Sequence, residues 1–255
     1  MPSLQEVLRG LQPFETRGDV LREITGIQYD SRQVAPGNLF VCIPGLKTDG
    51  HNFVPQAVAA GAVALLVERD VATDQGVAVV KVADTRKALP VVASNFYGAP
   101  SRDLRVIGVT GTNGKTTTTH LVAAILEEAG FPVGLIGTLY ARWGGVQEAI
   151  ANTTPESVDL ERFFHKVRRE GGKYVVMEVS SHALDLGRVD QIDFDVALFT
   201  NLTQDHLDYH HTLEDYLRAK LVLFRMLDGS RGKLAVINAD DPHSSDFSRA
   251  ARCRT

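Results

Sequence analysis

Apolar residues in this chain fall into short continuous runs that alternate with polar, glycine-marked segments and with longer stretches of helical period. Leu39-Phe40-Val41-Cys42-Ile43, Ala62-Val63-Ala64-Leu65-Leu66-Val67 and Val77-Ala78-Val79-Val80-Lys81-Val82 read as strands, since runs this short and this apolar suit strands buried on both faces. Phe53 to Ala60 reads as a short helix stopped by Gly61, and a second helix from about Thr85 to Phe96 ends at Gly98-Ala99-Pro100. That glycine-proline punctuation is the best domain boundary, separating residues 1–100 from residues 101–255.

The second part repeats a strand–helix rhythm. Leu104 to Val109 reads as a strand, and Thr117 to Leu126 as a helix closing at Gly130 before Phe131-Pro132. A helix from about Pro155 to Glu170 follows, with Thr154 as its N-cap and Pro155 in its first turn. Lys173 to Val179, Asp195 to Thr200 and Lys233 to Ile237 read as strands, with a helix from Leu213 to Leu227 between the last two. The pattern predicts an α/β fold: a small N-terminal α/β domain, then a doubly wound, mostly parallel sheet. The chain stops at Thr255, soon after the last strand, where such a sheet normally continues. The sheet is therefore expected to lack its final strands and to expose an edge prone to aggregate.

Chemistry concentrates where strands end. Gly111-Thr112-Asn113-Gly114-Lys115-Thr116-Thr117 lies between a strand and a helix, the setting of a phosphate-binding loop. There, successive backbone N–H groups and a helix N-terminus converge on an anion, the lysine adds a point charge, and the threonine hydroxyl can hold Mg²⁺. The usual pattern has a glycine five positions before Gly114, and Val109 stands there instead, so the loop is a shortened form. Asn-Lys-x-Asp and Asp-x-x-Gly, which a switch GTPase needs, occur nowhere in the chain. Glu178 closes its strand, where an acid can hold Mg²⁺ or simply be a solvated charge. Ser180-Ser181-His182 suits a capping turn as readily as a binding site, and Arg188 follows shortly after. The segment Thr200 to His211 is dense in Asp and His, and His206 suits a metal ligand or a structural hydrogen-bonder. Lys220 sits on an amphipathic helix beside Leu221 and Phe224, where a lysine ordinarily reaches out to water.

Composition narrows the classes. A net charge of −4 gives no basic field for nucleic acid or membrane surfaces. The start lacks the cationic and apolar segments of a signal peptide, and no apolar run approaches the ~20 residues that span a bilayer. Cys42 and Cys253 form neither a disulfide framework nor a zinc pattern, and Cys42 reads as a small buried hydrophobe. These features predict a cytoplasmic protein.

Taken in order, the segments that carry a family resemblance are Tyr29-Asp30-Ser31-Arg32, Pro36 to Val41, Asp49-Gly50-His51, Thr110 to Thr118 and Asn152-Thr153-Thr154-Pro155. They continue with Met177 to Leu184, Phe199 to His210, Ala219-Lys220 and Asn238-Ala239-Asp240-Asp241. The chain resembles the Mur ligases of peptidoglycan synthesis. The phosphate loop alone is shared with folylpolyglutamate synthases; the Asn-Thr-Thr-Pro and Glu-Val-Ser-Ser-His segments point to the branch that adds the third amino acid.

The resemblance implies an ADP-forming ligase that joins meso-diaminopimelate or lysine to UDP-N-acetylmuramoyl-L-alanyl-D-glutamate, with ATP and Mg²⁺ and through an acyl phosphate. It implies a UDP-binding N-terminal domain, a central ATP-binding domain that is incomplete here, and a C-terminal amino-acid domain that is absent. The chain is thus expected to be a monomer without full activity; a non-catalytic binding module is the alternative reading. Residue by residue, Gly111, Thr112, Asn113, Gly114, Lys115, Thr116 and Thr117 would cradle the triphosphate, with Asn238 and Asp241 at the adenosine. Thr116 and Glu178 would share one magnesium, and His206 would sit at a second. Lys115, His206 and Lys220 would be catalytic, with Lys220 carried as a carbamate (N6-carboxylysine). Tyr29 and Ser31 would line the uridine pocket, and Asn152, Thr153, Thr154, Ser180 and Arg188 would hold the muramoyl-dipeptide. Leu46, Lys47 and Thr48 occupy a UDP-binding loop with types that depart from the family, and Leu186 replaces a substrate-touching glutamine.

Overall fold

The computed structural model describes residues 1–12, 15–45, 48–73, 76–229 and 232–255, so Leu46 and Lys47 lie outside the described residues. It resolves into two compact units, Met1–Ala99 and Pro100–Thr255. In the first, α1 (Leu4–Val7), β1 (Glu15–Arg17), β2 (Gly26–Gln28), β3 (Asn38–Val41), α2 (Val54–Ala59), β4 (Ala64–Val67), β5 (Ala78–Lys81) and α3 (Thr85–Tyr97) follow in order. The sheet runs β1-β5-β4-β3-β2, parallel throughout except for β1 against β5. Every residue of β3 and β4 is buried, as continuous apolar runs require. Phe40, Leu65 and Val79 pack on one face with Val54 and Ala57 of α2. Cys42 lies just beyond β3 and joins that cluster, and burial pushes its thiol up to about 12, which keeps it inert.

The second unit contains β6 (Arg105–Thr110), α4 (Lys115–Glu128), β7 (Val133–Gly137), β8 (Tyr140–Trp143), β9 (Val146–Glu148), α5 (Ser157–Arg169), β10 (Tyr174–Glu178) and α6 (Ser181–Asp185). It continues with β11 (Val196–Phe199), α7 (Leu207–His210), α8 (Leu213–Arg225), β12 (Leu234–Ile237) and α9 (Ser244–Ala250). Among the described residues its sheet has seven strands in the order β12-β11-β6-β10-β7-β8-β9. The first five run parallel, and β8 and β9 add an antiparallel edge. Alternation along β10 explains the two covered faces. Val175 and Met177 join a large cluster with Phe164, Phe194, Phe199 and Phe224, whereas Val176 packs with Ala123, Val133 and Leu135 on the face that α4 covers. The chain leaves β6 on one side, toward β7 and β10, and returns on the other at β11. That reversal is where open parallel sheets bind ligands, beyond the carboxyl ends of the strands.

Two expectations change. The helix expected from Pro155 with a Thr154 cap starts at Ser157, with Glu156 in the cap position and no side-chain cap bond. The Thr154 hydroxyl is committed elsewhere: it donates to Glu178 O at 2.9 Å and accepts from Ser180 N at 3.0 Å, which ties the chain to the end of β10. The β12 edge is partly covered, because Ala235 N donates to Arg254 O at 2.8 Å and Leu234 pairs with Arg254 in parallel. Among the described residues, no helix is long and apolar enough to cross a membrane.

Candidate functional site

The phosphate loop joins β6 to α4, and its shape depends on two glycines. Gly111 has φ +147°, and a Cβ there would lie 1.9 Å from Thr200 Oγ; Gly114 has φ +84° at the cap of α4. The end of β11 braces the loop from beside it. Thr200 Oγ donates to Asn113 O at 2.7 Å, Asn113 N donates to Asn201 Oδ1 at 3.0 Å, and Thr203 N donates to Thr112 Oγ at 3.0 Å. The helix begins at Lys115, two residues earlier than its periodicity suggests, because the glycine cap lets the threonine run enter the first turn.

Two lysines meet this loop from inside. Lys115 Nζ donates to Gly111 O at 2.9 Å and Thr112 O at 2.8 Å, and Lys220 Nζ donates to the same Gly111 O at 2.8 Å. Lys220 does not reach for water: it is 1% exposed and lies 4.3 Å from the centre of the Tyr216 ring. Burial, and then the charge of Lys115, hold its ammonium well below the usual lysine range. Burial also lowers Lys115, against the pull of Glu178 and Asp205. Among the described residues neither lysine has an ion-pair partner, and the hydrogen bonds of both amines go to backbone carbonyls of the loop.

Glu178 is fully buried at the end of β10. Its Oε1 accepts from Thr116 Oγ at 2.9 Å and Thr138 N at 2.8 Å, and its Oε2 from Thr138 Oγ at 3.2 Å. A cavity of about 280 Å³ lies here, lined by the loop from Thr112 to Thr116, Thr138, Thr153, Glu178, Ser180, Ser181, His206 and Lys220. The cavity thus unites residues from five separate strand ends and loops. His206 takes a left-handed conformation, φ +52°, with its ring 4.9 Å from that of His182 and 6.0 Å from that of Tyr216.

Other candidates fall outside this cavity or do a second job. Ser180 lines it and also caps α6, accepting from Ala183 N at 3.2 Å, so the capping reading of that serine holds. Arg188 pairs with Glu156 at 2.9 Å and donates to Thr154 O at 3.0 Å, which fixes the chain beside Thr153. Asn152 is exposed and does not line the cavity. Asn238 donates to Thr200 O at 2.8 Å, and the Asp241 carboxylate accepts from Leu202 N at 2.8 Å and His243 N at 2.9 Å, so both brace the β11 loop. In the first unit, Ser31 is buried and donates to Gln56 Oε1 at 3.0 Å, while Tyr29 is half-buried just after β2. Sequence reasoning missed Thr138 and Tyr216. Thr138 follows a strand, Val133–Gly137, whose two glycines break the apolar run that would have revealed it.

Fold and site together define an α/β protein with a phosphate loop at the switch point of its sheet. Residues 109–255 match the Mur ligase middle domain, and residues 23–97 match the family described as Mur ligase family, catalytic domain. The chain belongs to the Mur ligase family. It is 51% identical over 254 residues to the UDP-N-acetylmuramoyl-L-alanyl-D-glutamate–2,6-diaminopimelate ligase of Syntrophomonas wolfei, covering 99% of this chain and 52% of that protein. The ligase of the same name from Bacillus licheniformis is 51% identical over 231 residues, covering 89% of this chain and 47% of that protein. A solved structure of a ligase of that name superposes with a TM-score of 0.82 at 29% identity, over 99% of this chain and 51% of that one. The chain spans about half the length of the curated relatives it matches.

Proposed function

We propose that this chain carries the nucleotide and acceptor sites of an ATP-dependent amide ligase that extends UDP-N-acetylmuramoyl-L-alanyl-D-glutamate with a diamino acid, diaminopimelate by the names of its relatives. The observation that carries the reading is the cavity in which the phosphate loop, Glu178, His206 and Lys220 converge. An amine cannot displace oxide from a carboxylate, so transfer of the γ-phosphoryl group to the terminal carboxylate creates the leaving group, and the amine of the diamino acid then attacks the acyl phosphate. Lys115 would exchange the Gly111 and Thr112 carbonyls for phosphate oxygens, and the N-terminus of α4 would face the same charge. A cation buried without an acid partner stays ready for an anionic ligand.

The donor set suits magnesium: Thr116 and Glu178 offer hard oxygens 2.9 Å apart, and the described residues hold no cluster of three acids, histidines or cysteines that would form a protein-only cage. When bound, the ion would neutralise charge on the phosphates. His206 would serve at a second such position. Lys220, whose burial favours the neutral amine, is suited to take up CO₂ as a carbamate, turning a cation into a carboxylate-like group. Thr153, Thr154, Ser180 and Arg188 would hold the muramoyl-dipeptide, with Tyr29 and Ser31 at its uridine. The site of action would be the cytoplasm, where ATP is available.

Calorimetry of the chain with Mg²⁺-ATP, Mg²⁺-GTP and the UDP-muramoyl-dipeptide tests the reading. Binding of ATP and of the UDP compound is expected, with GTP much weaker. No binding of either, or equal affinity for GTP, counts against it.

A further inference from the structure

The hydroxyl of Thr138 lies between two parts of the cavity. Its oxygen is 3.2 Å from Glu178 Oε2 and 3.1 Å from Thr153 Oγ, and its backbone N–H donates to Glu178 Oε1 at 2.8 Å. Strand register places it there. β7 and β10 pair in parallel with Ile136 opposite Met177, which sets Gly137 beside Glu178. A Cβ on Gly137 would stand 2.3 Å from Glu178 Oε1, so only glycine leaves the carboxylate room to reach the Thr138 N–H.

The direction of the hydrogen bonds follows from chemistry. A carboxylate only accepts, so the single hydroxyl proton of Thr138 goes to Glu178 and Thr153 is the donor within the threonine pair. The line therefore runs Thr153 O–H to Thr138 Oγ, then Thr138 O–H to Glu178 Oε2. On its other oxygen Glu178 accepts from Thr116, in the first turn of α4. Both threonines line the cavity, and the lone pairs of Thr153 remain available to a donor arriving there. A donor that engages Thr153 strengthens its donation to Thr138, and the polarisation passes along the line.

We propose that Thr138 is a positioning residue that couples the two binding events: occupation of the acceptor side at Thr153 fixes the Glu178 carboxylate toward the nucleotide side. This rests on the reading of the cavity as a joint nucleotide and muramoyl-dipeptide site. The relay is local, involves no change of charge, and would let nucleotide bind most tightly once the acceptor is in place.

Calorimetry on the 255-residue chain tests it, with Mg²⁺ and the non-hydrolysable β,γ-imido analogue of ATP, with and without saturating UDP-N-acetylmuramoyl-L-alanyl-D-glutamate. The unsubstituted protein should bind the analogue about tenfold tighter with the UDP compound present, within the usual range of coupling between sites. Thr138→Val should reduce the coupling to less than about twofold, whatever its affinity for each ligand alone, and Thr138→Ser should restore it. If Thr138→Val does not fold, as judged by its melting curve, Thr138→Ser and Thr153→Val carry the same comparison, the first coupled and the second not. Coupling that survives in Thr138→Val, or is lost equally in Thr138→Ser, overturns the relay, as does an unsubstituted protein that binds both ligands without coupling. An unsubstituted protein that binds neither ligand overturns the functional reading and the relay with it, a distinct result.

Discussion

At the carboxyl ends of the central strands, Lys115 and Lys220 are held by backbone carbonyls; at the amino ends, Arg105 and Lys233 are matched with Asp195 and Asp193. The amino-end charges satisfy one another and fasten the sheet: Asp195 also accepts from Val106 N at 2.8 Å, and Lys233 also donates to Phe194 O at 2.6 Å. The carboxyl-end cations are left short of negative charge, at a cost in stability that a phosphate ligand would offset. One sheet thus has an end whose charges are matched internally and an end that, in the proposed reading, would receive an anion.

Removing Lys115 should break that contrast most sharply. Lys115→Ala is expected to weaken Mg²⁺-ATP binding at least about 100-fold, nearly 3 kcal/mol, by calorimetry. The melting temperature should hold or rise, since the lysine is half-buried and its ammonium disfavoured. Unchanged ATP affinity would mean that the loop does not receive phosphate through this side chain.

The opposite end should answer in the opposite currency. Asp195→Ala strands the N–H of Val106, a fully buried residue, and is expected to lower unfolding free energy by about 1–3 kcal/mol in a urea titration. ATP affinity should stay within about twofold, because the carboxyl ends of the strands are untouched. A selective loss of ATP binding would show that the two ends are not independent.

How much of this contrast the chain announces depends on periodicity and spacing. The phosphate loop was legible because seven adjacent residues carry it between an apolar run and a helical one. Glu178 was legible because it closes an apolar run. The buried state of Lys220 was not, since a lysine on an amphipathic helix ordinarily extends to solvent; its contacts with Gly111 and Tyr216 depend on packing between residues about a hundred positions apart in one case. Thr138 was hidden for a different reason. Gly134 and Gly137 dilute β7, yet each is needed: a Cβ on Gly134 would lie 3.0 Å from Phe163, and one on Gly137 would strike Glu178. The β8–β9 hairpin, only partly apolar, gave no run to follow. The 154–157 boundary was misplaced because local capping preference lost to a tertiary hydrogen bond from Thr154 to β10.

Lys220→Met sharpens the comparison through pH. The folded pKa lies below the unfolded value near 10.5, so between the two the unfolded chain binds more protons and stability rises with pH. Below the folded pKa the full cost of charging a buried amine is present. The methionine variant, freed of that cost, is expected to be more stable at pH 7 by on the order of 1 kcal/mol, the charge penalty being partly offset by the lost bond to Gly111. Its advantage should shrink as pH rises toward 10, measured by urea unfolding in CO₂-free buffer. An advantage that grows with pH would show that the lysine is not disfavoured as an ammonium.

Arg105→Ala should be the mildest change, and its mildness is the point. The guanidinium donates to Asp195 at 2.5 Å, but the arginine side chain is 63% exposed against 15% for the aspartate. Water and salt screen the arginine, so deleting it is expected to cost no more than about 0.5 kcal/mol, where deleting its partner costs several times that. The asymmetry has a physical source. Asp195 keeps its bond to Val106 N when Arg105 is gone, whereas Val106 N loses that acceptor when Asp195 is gone. Raising the salt concentration to about 0.5 M shortens the screening length to a few ångströms and should erase most of the Arg105 effect while leaving the Asp195 effect in place. Equal losses in the two variants, or an Arg105 effect indifferent to salt, would mean that the ion pair itself, rather than the backbone contact of the aspartate, fastens the amino end of the sheet.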